Sequence, residues 1–370
     1  MNGKSARAVS VAVIAVMVLS VIPFALSDGS DAAVTIRDGY GNEFTFDSEP
    51  EHVITVGRGI TATVIQIEAL DKIVVCDSYS ANDDSDVFSA LKTKVAEGEI
   101  VASGNIYTSG KTDLINSIVN AADTEKGGKF DKSKDPVFIT GGNTYIDPIK
   151  EDLESKGFSK VLVWNDITDY SEIATFVSTV SQIVNGSESD KVEQMKHVSE
   201  VIADGVKDKT PRDAFYVTHS GGVYKVGNTN SLANSMITAA GGKSVTTDDG
   251  KAKPTYEASL TALIEAHPDA VIFIDNSINK DAELKATLLS RVGRADGKDV
   301  VPLDPLWNNY SIESMTGVWT MACAMYPDTF EGDVPTVDVE KKNNPFLYIG
   351  IGSAAAVVII VVGLMFMRKR

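Results

Sequence analysis

Short apolar runs bounded by turn residues alternate with stretches of helical spacing along most of the chain. Val34–Phe46 holds two alternating runs around a turn rich in Gly, Asp and Asn, the pattern of a β-hairpin. The strand His52–Val56, the turn Gly57-Arg58-Gly59, a helix over Thr61–Leu70 and the strand Lys72–Cys76 follow. Leu114, Ile115, Ile118 and Val119 give Thr112–Ala121 one apolar helical face. Val137–Thr140 and Lys160–Trp164 read as strands, with the end of a helix at Glu151–Gly157 between them. The middle differs. A helix over Tyr170–Val184 is broken by Asn185-Gly186. One long amphipathic helix then runs to about Lys207, striped by Val192, Met195, Val198, Ile202 and Val206. After Pro211 the earlier pattern resumes. Ala214–Thr218, Ala270–Ile274 and Val300–Leu303 read as strands; Ser231–Ala240, Ser259–Ala266 and Glu313–Met325 read as helices. Strands alternating with short helices predict an α/β architecture with mainly parallel sheets. The expected organisation is an N-terminal α/β lobe at 34–186, a long rigid connecting helix at 187–209, and a C-terminal α/β lobe at 210–330.

The two ends change this picture. Lys4 and Arg7 precede an uncharged apolar stretch from Ala8 to Leu26, and Ala25-Leu26-Ser27 supplies small residues for cleavage. Residues 1–27 therefore read as a signal peptide, with an uncleaved anchor as the alternative. Phe346–Met367 is 22 residues without a charge. As a helix it would span about 33 Å, against roughly 30 Å of bilayer hydrocarbon. Arg368-Lys369-Arg370 follows directly, so the expected topology is a single C-terminal transmembrane helix at 346–367, body outside and tail in the cytoplasm. The polar segment 331–345 reads as a tether. Removing the five cations of the two ends from the net charge of −17 leaves −22 on residues 28–344. Such a body repels nucleic acid and anionic lipid surfaces.

Most catalytic chemistries find little support. Cys76 and Cys323 form no framework or C-x-x-C pair and read as small buried apolar side chains. The four histidines, His52, His197, His219 and His267, are scattered, which does not suit a bare-ion site. Thr218-His219-Ser220-Gly221-Gly222 lacks the first glycine of a nucleophile elbow. Gly57-Arg-Gly59-Ile-Thr-Ala62 fits G-x-G-x-x-A after a strand, and Asp77 stands where a ribose-binding acid would. Export from the cell argues against a nicotinamide cofactor. The expectation is a binding protein, not an enzyme, without catalytic residues or a resident cofactor.

Several segments resemble the class III periplasmic solute-binding proteins over about residues 34–330. Val34–Phe46 resembles the family's opening hairpin, and Pro50–Val56 with Ala69–Asp77 its first β–α–β unit. Gly221–Gly242 resembles a segment ending in Gly-Gly; Ala266-His-Pro-Asp-Ala-Val-Ile-Phe273 and Asp299–Asp304 resemble later strand starts. The resemblance implies the extracellular substrate-binding component of an ABC importer, capturing an iron–siderophore, cobalamin-like or haem chelate between two lobes. It also implies a docking glutamate on each lobe for the permease. Those positions fall near Asn116 and Thr261, neither acidic, with Asp113, Glu257 and Glu265 nearby. The alternative is a surface sensor or adhesion receptor without a permease.

Ligands of open α/β sheets sit beyond the carboxyl ends of the strands. Those ends here carry aromatic and polar side chains, which suit a large planar or chelated solute. The expected ligand-binding residues are Arg58, Tyr79, Tyr107, Asn143, Tyr145, His219 and Trp307. Trp164, Tyr224 and Tyr310 share such positions. Arg58 stands between two glycines, able either to meet an anionic chelate or to pair with a carboxylate.

Overall fold

The computed structural model describes residues 33–107, 110–165, 167–247 and 253–337, apart from the side chain of Asn143. The signal peptide and transmembrane helix read from the sequence lie outside the described residues, as does the tether beyond 337. Among the described residues no helix is long and apolar enough to cross a membrane.

The first half opens with the hairpin β1 (Val34–Arg37) and β2 (Glu43–Phe46), paired antiparallel from Val34↔Phe46 to Arg37↔Glu43. Its turn is held by Asp38, which accepts from the amides of Tyr40, Asn42 and Val163. A parallel five-stranded sheet follows, built from β3 (Val53–Val56), β4 (Ile73–Cys76), β5 (Val101–Ala102), β6 (Val137–Thr140) and β7 (Val161–Trp164) in the order β5-β4-β3-β6-β7. Strands β3, β6 and β7 are buried on both faces, which is why they read as continuous apolar runs. Helices α1 (Arg58–Gln66), α2 (Ser78–Ala81), α3 (Ser89–Ala96), α4 (Lys111–Ala121) and α5 (Asn143–Ser155) connect them. Helix α5 runs back through Pro148, well before the expected Glu151, losing one backbone hydrogen bond at that residue.

The second half holds β8 (Asp213–Ser220), β9 (Val223–Gly227), β10 (Lys243–Ser244), β11 (Thr255–Tyr256), β12 (Val271–Ile274) and β13 (Val300–Pro302). The order is β11-β9-β8-β12-β13, with β10 also on β8. Strands β8, β12 and β13 are mutually parallel, while β8 and β9 form an antiparallel hairpin. Its two-residue loop, Gly221-Gly222, has φ of 64° and 80°, a conformation that L side chains resist. Strand β9 is absent from the sequence reading because its five residues resemble a loop beside those glycines. Helices α8 (Leu232–Ala239), α9 (Leu260–Ala266), α10 (Asn276–Asn279), α11 (Ala282–Arg291) and α12 (Ser314–Met325) complete this half.

Between the halves run α6 (Tyr170–Asn185) and α7 (Asp190–Val206), reversing at Gly186, whose φ is 64°. Helix α7 lies within the expected connecting segment, but it does not join the halves alone. One hydrophobic cluster includes Ile60 and Phe138 of the first half, Phe176 and Val198 of the crossover, and Tyr216, Met236 and Val318 of the second. Each sheet's other face has its own core, around Ile139 and Ile149 in one half and Phe215 and Ile272 in the other. The halves are therefore welded by a shared core as well as by backbone.

Candidate functional site

In the first sheet the chain leaves the central strand β3 towards β4 on one side and later returns to β6 on the other. Such a reversal opens a crevice at the carboxyl ends of the strands. Gly57 ends β3 there with φ of 114°, and a Cβ on it would fall 2.3 Å from Thr140 Oγ1. Only glycine allows β3 and β6 to end so close. A Cβ on Gly59 would fall 2.8 Å from Asn309 Oδ1 and 2.9 Å from the carbonyl of Tyr310, so α1 meets the second half almost backbone to backbone.

Between the two sheets lies a cavity of about 720 Å³. The first half lines it with Arg58, Gly59, Tyr79, Asn105, Tyr107 and Thr140. Its floor comes from β8, where Tyr216, Thr218 and Ser220 stand two residues apart and so share one face of the strand. Asn308, Asn309 and Tyr310 close the far side, with Asn230 and Ser231 before α8. Thr168 and Thr255 add further hydroxyls.

At the mouth three tyrosines form a file. Tyr79 and Tyr107 meet edge to face with ring centroids 6.5 Å apart, and Tyr107 and Tyr145 do so at 5.0 Å. They are 48%, 47% and 44% exposed, unlike the buried aromatic residues of both cores. Tyr145 stands behind Tyr107 rather than in the cavity wall.

Arg58 reaches the cavity wall already paired. Its guanidinium meets Asp83 Oδ2 at 2.5 Å, and both side chains are nearly buried. The other oxygen of Asp83 accepts from the amide of Ser85 at 2.9 Å. The guanidinium also lies 5.9 Å from the ring centroid of Tyr79. Of the two roles open to Arg58 in sequence, pairing with a carboxylate is the one observed. On the floor, Tyr216 donates its hydroxyl to Asp275 Oδ2 at 2.9 Å. Burial, reinforced by that carboxylate, holds its phenol well above the ordinary value, so it remains protonated.

His219 and Trp307 do not line the cavity. Strand β8 runs on to Ser220, so His219 faces away from Tyr216, Thr218 and Ser220; it packs on Tyr224 with ring centroids 5.2 Å apart. Trp307 lies in a turn closed by Asp304, which receives the amide of Leu306 on its carboxylate and that of Trp307 on its carbonyl. Gly317 of α12 leaves room for the Cβ and carbonyl of Trp307, and the side chain packs against the shared core. Trp164 is core, edge-on to Phe176 at 5.1 Å. Asn143 opens α5, and its side chain lies outside the described residues. The residues that sequence reasoning passed over, Tyr216, Thr218, Ser220 and the two asparagines at 308 and 309, had one available signal: the period-two alternation of Phe215–Ser220.

The geometry also bears on the rival cofactor reading. Asp77 is completely buried and caps α2 by accepting from Ser80, so it presents nothing to a ribose. Among the described residues no cluster of three His, Cys, Asp or Glu side chains could hold a metal ion.

No protein-family model matches the sequence, and no curated protein is similar to it. Solved structures are similar in fold. Helicobacter pylori CeuE, solved with nickel and histidine, superposes with a TM-score of 0.59 at 16% identity, covering 83% of this chain and 92% of its own. A periplasmic heme-binding protein from Pseudomonas aeruginosa gives 0.55 at 17% identity, over 78% of this chain and 96% of its own. The periplasmic heme-binding protein HutB of Vibrio cholerae gives 0.52 at 16% identity, over 75% and 100%. With its two α/β halves, its paired crossover helices and a cavity between the sheets, the chain has the fold of the class III periplasmic solute-binding proteins.

Proposed function

We propose that this protein is the extracellular substrate-binding component of an ABC-type importer and captures a metal chelate in the cavity between its two halves. The observation that carries the reading is the file Tyr79–Tyr107–Tyr145 at the mouth of a cavity lined by hydroxyls and amides among apolar groups. Three neighbouring aromatic rings left nearly half exposed lose apolar contact with water only when something covers them. A large solute with a planar or apolar face would do so, while the hydroxyls and amides inside would orient it. The lack of a metal-binding cluster among the described residues fits a metal that arrives already chelated. The structural neighbours described as binding heme or nickel with histidine lend this support at the level of fold. In this reading residues 346–367 anchor the protein in the membrane, the cytoplasmic tail follows them, and residues 331–345 tether the body outside. Titration of the purified full-length protein with a panel of ferric siderophores, haemin and a corrinoid tests the proposal. Saturable binding to one of them, weakened on Tyr107→Ala, is the expected result; no binding to any would overturn it.

A second reading, a surface sensor or adhesion receptor without a permease, has one specific observation in its favour. Asn116 and Thr261, where the resemblance calls for docking glutamates, are exposed and uncharged, although Asp113, Glu257 and Glu265 are exposed close by in sequence. Co-purification from native membranes separates the two: a permease that accompanies the protein supports the importer.

A further inference from the structure

The wall of the cavity carries one charged side chain among the described residues, Arg58, and that charge is already answered. Asp83 meets the guanidinium at 2.5 Å, with the two side chains 11% and 13% exposed respectively. Its position is fixed independently, because its other oxygen accepts from the amide of Ser85. The amino end of α1 also opens here, adding its partial positive charge to that of Arg58, whose guanidinium Asp83 meets. An anionic ligand would have to displace a nearly buried carboxylate and leave it without its partner, which is costly. The remaining polar lining is hydroxyl and amide, groups that both donate and accept and so suit carbonyl, hydroxyl and amide functions. At longer range the charge of −22 on residues 28–344, which follows from the net −17 once the five terminal cations are removed, also disfavours anions.

Resting on the proposed chelate-binding role, we infer that the cavity takes a solute without net negative charge, and that Asp83 sets this preference by neutralising Arg58. Ferric ion held by three singly charged hydroxamates is such a chelate; ferric ion held by three doubly charged catecholates is not. The test titrates full-length protein in detergent with four probes: a ferric trihydroxamate and cyanocobalamin, both electroneutral, and haemin and a ferric tris-catecholate, both anionic. At least one neutral probe should bind about tenfold or more tighter than either anion, the ratio commanded by one charge-assisted hydrogen bond. Asp83→Asn, which frees the Arg58 charge, should strengthen the anionic probes by a similar factor and leave the neutral ones within about threefold. The double variant Arg58→Gln with Asp83→Asn, again without net charge, should return the original ranking. Tighter binding of an anionic probe by the native protein overturns the inference and leaves the chelate reading intact, as does a ranking that Asp83→Asn does not move. Binding of none of the four removes the chelate reading and this inference with it. Where Asp83→Asn does not fold, the ranking in the native protein decides alone.

Discussion

Gln66 on α1 donates its side-chain amide to Glu313 Oε1 at 2.8 Å, a hydrogen bond from the first half of the molecule to the second. The contact lies where α1 meets the segment leading into α12, about two helical turns from the meeting of Gly59 with Asn309 and Tyr310. Burial raises the carboxyl of Glu313 above its ordinary range, with Thr316 and Gln66 pulling it back. A carboxyl raised in the folded state binds its proton more readily than in the unfolded chain. Its contribution to stability therefore falls as pH rises from the ordinary glutamate value through the folded one. Glu313→Gln keeps a partner for Gln66 and removes that loss. Its melting temperature should exceed that of the native protein at neutral pH, and the difference should vanish below the ordinary glutamate pKa. An unchanged difference across melts from acid to neutral pH would contradict this.

The shared core joining both sheets through α6 and α7 predicts one cooperative unfolding transition for the folded body rather than two. It also predicts little closure on binding. Calorimetry should give one peak, and scattering profiles with and without a bound chelate should nearly overlap. A second transition, or a clear fall in radius of gyration, would show that the halves move independently.

Gly59→Ala would place a methyl group under 3 Å from Asn309 Oδ1 and from the carbonyl of Tyr310. Neither neighbour is the loose end of a long side chain, so the halves must part slightly. The expected cost is about 1–3 kcal/mol in thermal or denaturant unfolding, with weaker ligand binding because the crevice changes shape. Native stability with native affinity would show that the approach is looser than described.

Tyr107 lies at the centre of the tyrosine file and is half exposed, so Tyr107→Ala should leave the melting temperature nearly unchanged. Binding should weaken by about 1.5–3 kcal/mol, the scale of burying one aromatic side chain. Calorimetric titration measures this directly, with the melt as the folding control.

The chain beyond α12 is a strap rather than a free tail. Phe330 packs edge-on to Trp319 at 5.4 Å and to Tyr326 at 6.3 Å, and the indole of Trp319 donates to the carbonyl of Gly332 at 3.0 Å. Thr336 and Val337 then lie beside Gln66, Asn185 and Lys191, at the junction of α1 with the crossover helices. Phe330→Ala should destabilise by about 3–5 kcal/mol, the usual cost of emptying a buried aromatic site. Trp319→Phe, which removes one hydrogen bond, should cost about 1 kcal/mol. Denaturant titration distinguishes the two.

Much of the architecture was legible from local pattern. Val53–Val56, Val137–Thr140 and Val161–Trp164 are continuous apolar runs because both faces of the sheet are covered, and burial writes that directly into residue type. The stripe Val192, Met195, Val198 and Ile202 marked α7 for the same reason. Strand β9 and the start of α5 were not legible, since glycines and a proline there signal interruption while the surrounding packing and hairpin pairing continue the element.

The site divides along the same line. That Arg58, Tyr79 and Tyr107 sit at strand ends followed from the alternation of strands and helices, because such ends face the crevice wherever the sheet is parallel. That Arg58 is neutralised could not be read, since Asp83 lies 25 residues away and only the folding of the segment after α2 brings them together. The choice of Tyr216, Thr218 and Ser220 over His219 likewise depended on two residues of strand length. Side chains on a strand alternate, so a boundary placed at Thr218 or at Ser220 decides whether His219 is a loop residue at the cavity or a strand residue turned from it. The chain's own residues determined which elements form and what faces are apolar. Which polar side chains meet across the cavity was decided only by the packing of one half against the other.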